Sequence, residues 1–254
     1  ATAVEMNLRA FSLGRLAVSN PAALEALLVE PQPVRLLASG RETLDSLVAD
    51  RLAWLTAYQD AAWGARYEQL VRRVAATERE KTGMSGALAE AVARNLAKLM
   101  AYKDEYEVGR LLSGEVLRHQ LETQFEGDYR IAFNLAPPLL AARDPATGRY
   151  RKREFGAWML PVFGVLARLK FLRGTPLDVF GWSAHRRRER ALIGEYEQLV
   201  ETLLAGLHRG NHAIAVKLAA LPERVRGFDV VKEAAMEQAA TARATLLAEF
   251  AAAP

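Results

Sequence analysis

Apolar residues recur along most of this chain at spacings of three and four, the period that lines one face of an α-helix. From Ala3 to Val18 the face is Val4, Leu8, Phe11 and Leu13. Asn20-Pro21 reads as an N-cap followed by proline at the first helical position, and a short helix to about Glu30 should follow before Pro31-Gln32-Pro33 stops it. Arg41 to about Glu80 reads as one long amphipathic helix. Leu44, Leu47, Val48, Leu52, Leu55, Tyr58 and Ala62 share a face that Tyr67, Leu70, Val71 and Val74 continue. At ~1.5 Å per residue such a helix would be about 60 Å long and would need another long helix beside it. A turn at Gly83–Gly86 leads into a helix carrying Leu88, Val92, Leu96, Leu99 and Met100. It bends near Tyr102, continues through Tyr106, Val108, Leu111 and Leu112, and is followed by a short helix from Gly114 to Phe125.

The period then changes. Tyr129 to Leu135 alternates apolar and polar residues, which is the period of a strand, and Pro137-Pro138 ends it. Asp144-Pro145-Ala146-Thr147-Gly148 is a turn signal, after which Tyr150 to Phe155 can pair back as the second strand of a small hairpin. Helix returns at Ala157–Leu172, and Gly174, Pro176 and Gly181 mark a loop. Ala184–Leu207 is a second long helix, Asn211–Leu221 a short one stopped by Pro222, and Val230–Phe250 the last. The expected fold class is all-α or nearly so, a long-helix bundle with at most one small β-hairpin.

Composition agrees. The chain is 51% apolar, enough to bury a core, and is dominated by Leu and Ala with Arg and Glu, all strong helix formers. It has no cysteine. Disulfides, thiolate zinc sites, all-cysteine iron–sulfur clusters and a cysteine nucleophile are therefore excluded within it. No apolar run approaches the ~18 residues of a membrane span, and no secretory leader pattern is present. The missing cysteines fit a cytoplasmic setting. The chain enters a helical pattern at Ala1 without a cap, as a segment of a longer polypeptide would.

Charge is unevenly placed. Net charge is +4, but Arg143 to Arg190 holds twelve Lys/Arg against four Asp/Glu, a local balance of +8 that leaves −4 on the remainder. Within it, Arg149, Arg151, Lys152 and Arg153 lie in one run and Arg186, Arg187 and Arg188 in another. If the two runs converge they form an anion-recruiting surface, because Arg forks bind phosphate and carboxylate at two points. The competing expectation is that these side chains pair with acids of the same fold.

Other candidate chemistry is thin. The one pair of glycines with phosphate-loop spacing, Gly109 and Gly114, is followed by Glu115 rather than Lys, and no two glycines sit two apart as a dinucleotide fingerprint needs. His208 and His212 have the spacing of a metal pair, but Gly210 between them favours a turn and no carboxylate sits at a matching position. His185 and His119 read as exposed helix residues. Asp104, Glu105 and Glu107 cluster beside Tyr102, Lys103 and Tyr106, and a salt-bridged helix surface with an i,i+4 pair of Lys103 and Glu107 is expected, with a buried acid–base site as the alternative. No catalytic residue and no metal ligand follows from these patterns.

Several stretches together carry a family resemblance. They are Glu5–Phe11 with Leu13-Gly14-Arg15, Tyr58–Ala62, Val92–Leu96 with Lys98–Val108, Leu135–Leu140, Arg151–Gly156, and Leu221-Pro222-Glu223 with Arg226-Gly227-Phe228. In this order they resemble the C-terminal region of single-chain indolepyruvate ferredoxin oxidoreductases, of the 2-oxoacid:ferredoxin oxidoreductase family, over nearly the whole chain. The resemblance implies a parent that oxidatively decarboxylates an aryl-2-oxoacid to its acyl-CoA and reduces ferredoxin. The parent would use thiamine diphosphate, Mg and 4Fe-4S clusters. None of those groups is expected in this segment. It has no cysteine, no adjacent asparagines, and only Glu126-Gly127-Asp128 near the thiamine pattern.

By the same resemblance, residues 1–18 would be the tail of a preceding γ-type oxidoreductase domain and 19–254 a helical C-terminal domain, structural or docking rather than catalytic by itself. Its partners would be the catalytic domains of the parent chain, within a cytoplasmic homodimer. Ferredoxin, usually acidic, would be steered by the basic surface, with coenzyme A as the competing anion. The alternative class is an independent basic helical module binding nucleic acid or another polyanion. A membrane partner is not expected.

Overall fold

The computed structural model describes residues 2–21, 42–125, 127, 129–135, 151–224 and 229–253. The chain divides into two compact units, 1–42 and 43–254. The first contains helix α1 (Thr2–Ser19). The helix expected to run to Glu30, the turn at Asp144–Gly148 and Arg149 lie outside the described residues.

The second unit runs α2 (Leu44–Tyr58), α3 (Ala61–Thr82), α4 (Ala87–Met100), α5 (Glu105–Ser113), α6 (Glu115–Gln124), strands β1 (Ala132–Leu135) and β2 (Arg153–Gly156), α7 (Met159–Arg168), α8 (Ala184–Gly206), α9 (His212–Ala219) and α10 (Asp229–Ala252). Short 3₁₀ turns cover Leu169–Leu172, Val179–Trp182 and Leu221–Arg224. The expected fold class therefore holds: helices, with one antiparallel hairpin in which Phe133 faces Phe155 across the ladder.

The long helix expected over Arg41–Glu80 is instead two. Gln59 and Asp60 break it, and the reason is local. Asp60 adopts an extended backbone and its carboxylate accepts from Trp63 N at 2.8 Å, which starts a new helix. Gly64 then lets α3 fold back closely on α2, because a Cβ there would lie 2.9 Å from Leu52 Cδ1. Thr43 and Ser46 form a capping box at the start of α2, and Gly83, at φ 69°, ends α3 in the left-handed conformation that glycine tolerates.

The main core is built by α2, α3, α4, α8 and α9. Val48, Leu55, Val71, Val74, Leu96 and Leu218 are all fully buried in it, joined by Tyr196, Leu199 and Leu203 of α8 and by Phe250 of α10. A smaller cluster of Phe133, Met159 and Phe163 joins the hairpin to α7. Helix α5 packs directly on α7 at Gly109, where a Cβ would come within 2.8 Å of Leu166 Cβ.

Among the described residues, no helix is long and apolar enough to cross a membrane.

Candidate binding cleft

The segment between α4 and α5 is placed by a buried ionic frame. Asp104 caps α5 by accepting from Glu107 N at 2.8 Å. The same carboxylate receives Arg173 at two points, Nε to Oδ2 at 2.5 Å and Nη2 to Oδ1 at 3.0 Å. Arg173 also donates through Nη1 to Tyr58 O at 2.7 Å, and its guanidinium lies 3.7 Å from the centre of the Tyr58 ring. One arginine therefore ties the end of α2 to the start of α5. Burial works against its charge, but the bonds to Asp104 and the nearby Tyr58 hold its pKa above the ordinary value. Asp178 makes a second knot, accepting from Gly174 N, Gly181 N and the Tyr106 hydroxyl and pairing with Arg190.

The expected surface pair of Lys103 with Glu107 is not made. Because Asp104 is the N-cap, Lys103 precedes the helix and is exposed, while Glu107 is buried and bonded to Arg110 at 2.7 and 2.8 Å. The acidic cluster is a buried framework rather than a solvated face. Burial raises the Glu105 carboxyl above its ordinary value, against the pull of Arg186.

Around this frame opens a cleft of about 1090 Å³. One wall is Lys98–Val108, the run from the end of α4 into α5. The others come from the hairpin, α7, the first half of α8, the Leu221–Pro222 turn and α10. Its floor is apolar and aromatic: Tyr102, Phe163 and Tyr196 are 9%, 2% and 4% exposed. Trp158 stands at the edge, 62% exposed, its ring edge-on to Phe155.

One residue of the first basic run and two of the second border this cleft. Lys152, just before β2, and Arg186 and Arg188, on the first turns of α8, line the one cleft. Ser183 caps α8 by accepting from Arg186 N at 3.2 Å. Arg186 is half-buried, paired with Glu189 at 2.7 Å and Glu105 at 3.5 Å, and Arg188 pairs with Glu195. Arg187 is exposed and donates to the Trp182 carbonyl. Arg151 and Arg153 are exposed on the hairpin.

The histidines follow structural roles. His212 Nε2 lies 2.7 Å from Glu78 Oε1, both side chains buried, while Gly210 N donates to His208 Nδ1 within the turn. Glu78 also accepts from Leu88 N and Ala89 N at 2.9 and 3.0 Å, capping α4 where Gly86 has no side chain to offer. His185 and His119 are exposed, as expected. Among the described residues no group of three His, Asp or Glu side chains could hold a metal.

Sequence reasoning missed Arg173, Asp178, Glu78 and the cleft cation Arg243, and gave Lys103 a pairing with Glu107 that it does not make. The N-cap aspartates Asp60 and Asp104 were the signals within reach, since each stands immediately before a helix.

Fold and cleft together define a helical domain with one small hairpin and an aromatic-floored, cation-edged cleft. At the family level, residues 44–245 match the family of unknown function DUF6537, and the chain belongs to it. No curated protein and no solved structure matches the chain.

Proposed function

We propose that this chain is a structural and docking domain of a cytoplasmic indolepyruvate ferredoxin oxidoreductase, contributing no catalytic group of its own. The observation that supports this reading most is the place of Lys98–Val108. That run is the longest stretch of the resemblance, and it forms a wall of the cleft rather than only filling the core. Trp158, 62% exposed at the edge of the same cleft, suits a face that meets other domains of a parent chain.

In such a parent, thiamine diphosphate with Mg would supply the decarboxylation chemistry and 4Fe-4S clusters the route for electrons. Neither fits the residues of this chain, which has no cysteine and, among its described residues, no acidic or histidine cluster for a metal. What this chain offers is charge. Arg187 and Arg188 at the start of α8, with Lys152, Arg151 and Arg153 on the hairpin, present cations at the surface near the positive end of a capped helix. Small, weak interfaces suffice for electron transfer, so a steering field for acidic ferredoxin is the role these residues suit best. Arg186 is the exception, because it is half-buried and held by two ion pairs, whereas Arg188, although paired with Glu195, stays exposed.

The test uses the full-length gene product. Indolepyruvate and coenzyme A should support reduction of both ferredoxin and a small neutral dye. Arg187→Glu with Arg188→Glu should slow the second-order reaction with ferredoxin by about tenfold at low salt, converge with wild type at high salt and leave the dye rate unchanged. A full-length protein that reduces neither acceptor with any 2-oxoacid overturns the proposal. Tight, steeply salt-dependent binding of duplex DNA would favour the polyanion module instead.

A further inference from the structure

The charged groups lining the cleft are not equally occupied. Each of its four acids is already paired: Asp104 with Arg173, Glu105 and Glu189 with Arg186, and Glu195 with Arg188. Three of its cations are not. Lys103, Lys152 and Arg243 make no hydrogen bond or ion pair among the described residues. They come from three separate parts of the fold, the α4–α5 link, the approach to β2, and α10, and they border one apolar cavity. Uncompensated positive charge around an aromatic floor is complementary to a molecule with an apolar body and an anionic head.

We propose that the cleft binds a small amphipathic anion, a hydrophobic body of about a dozen carbons or more bearing a carboxylate, sulfonate or phosphate, of the bulk that such pockets accept. The apolar body lies on Tyr102, Phe163 and Tyr196, and the head meets Lys103, Lys152 and Arg243. A free small molecule fits better than a bilayer surface or a flat protein face. The floor residues are buried and walls rise around them from separate elements, so the apolar surface is concave rather than raised toward a partner. This site stands whether or not a parent enzyme reduces ferredoxin, because nothing in it depends on the oxidoreductase reading.

The test is calorimetric titration of the full chain with dodecanoate below its micelle concentration. Dodecyltrimethylammonium serves as the charge-reversed comparator and anilinonaphthalene sulfonate as an aromatic anion. Dodecanoate should bind with one-to-one stoichiometry and at least tenfold more tightly than the cation. Lys103→Glu with Lys152→Glu, both exposed positions, should weaken it about tenfold, roughly threefold for each exposed charge reversed. Ala240→Trp, at an exposed position on the α10 wall, should block the mouth, abolish binding and leave the thermal unfolding midpoint unchanged. Equal affinity for the two dodecyl ions, or binding that survives Ala240→Trp, overturns the proposal. So does attachment to phosphatidylglycerol vesicles without binding of free dodecanoate, which would assign the cations to a lipid surface.

Discussion

The bundle of α2–α4 with α8 and α9 and the lobe from α5 to Trp182 are built on different terms. In the bundle, apolar periodicity is satisfied on both sides of each contact. Val48, Leu55, Val71, Val74 and Leu96 are each 0% exposed, and apart from the buried pair of Glu78 with His212 the bundle's ion pairs sit nearer the surface, as in Arg66 with Glu197, Arg72 with Asp45 and Arg73 with Glu201. In the lobe, among the described residues, only Phe133, Met159 and Phe163 form a buried apolar cluster, while Leu111, Trp158, Val165, Phe171, Leu177 and Trp182 are all more than half exposed. Ion pairs do the joining there, the buried pair of Asp104 with Arg173 and the buried Asp178 with the partly exposed Arg190. The contrast teaches that an apolar face is a core only where another element covers it. Where the covering is small, the same residue types remain at the surface, and a contiguous group of them marks a place for binding.

The sharpest way to break this comparison is Asp104→Ala. It strands the Arg173 guanidinium, 3% exposed, without its counter-charge, a change that costs about 3–5 kcal/mol. Urea unfolding should show that loss, and amide exchange should rise in α5 and α7 before it rises in α3 and α4. Uniform acceleration across all helices would mean that bundle and lobe form one cooperative unit. A smaller effect is expected from Gly109→Val, which pushes a side chain into Leu166 and the Phe163 carbonyl, 2.8 and 2.9 Å from where its Cβ must sit. Overpacking of this kind costs about 1–3 kcal/mol. It should loosen α7 while leaving the bundle's protection intact, and full retention of α7 protection would show that the two helices can slide apart freely.

The smallest effect is a pH dependence. Burial raises the Glu105 carboxyl above its ordinary value of 4.5, so the folded state holds that proton more tightly than the unfolded chain does. The resulting stabilisation is complete below the unfolded value and is lost as pH rises through the folded one. Glu105→Gln removes that loss. Relative to wild type, its urea midpoint should therefore be more favourable near pH 7 than near pH 4. The opposite slope would show that the Arg186 pairing outweighs burial.

Much of the architecture was legible along the chain because its causes are local. The two-residue alternation at Tyr129–Leu135 and the turn residues after it marked the hairpin, and the three-and-four spacing marked α3, α4 and α8. The break at Gln59–Asp60 was within reach too, since Asp60 is an N-cap residue followed by a glycine near the new helix start. The apolar period nevertheless runs through it without interruption, and periodicity reports which face is buried, not whether the helix is continuous. The basic runs were visible as charge, but not which cations would be left over.

Only the tertiary structure could decide that. Arg173 meets Asp104 across 69 residues, and His212 meets Glu78 across 134. Caps, turns and helical periods act over a few residues and are written in neighbouring letters. Ion pairing depends on which side chains the packed helices bring within about 3 Å of each other. The sequence by itself determined a helical chain with a basic middle and one hairpin. The packing determined that Arg186 and Arg188 would be engaged by acids, that Lys103, Lys152 and Arg243 would have no such partner among the described residues, and that an aromatic cleft would lie among them.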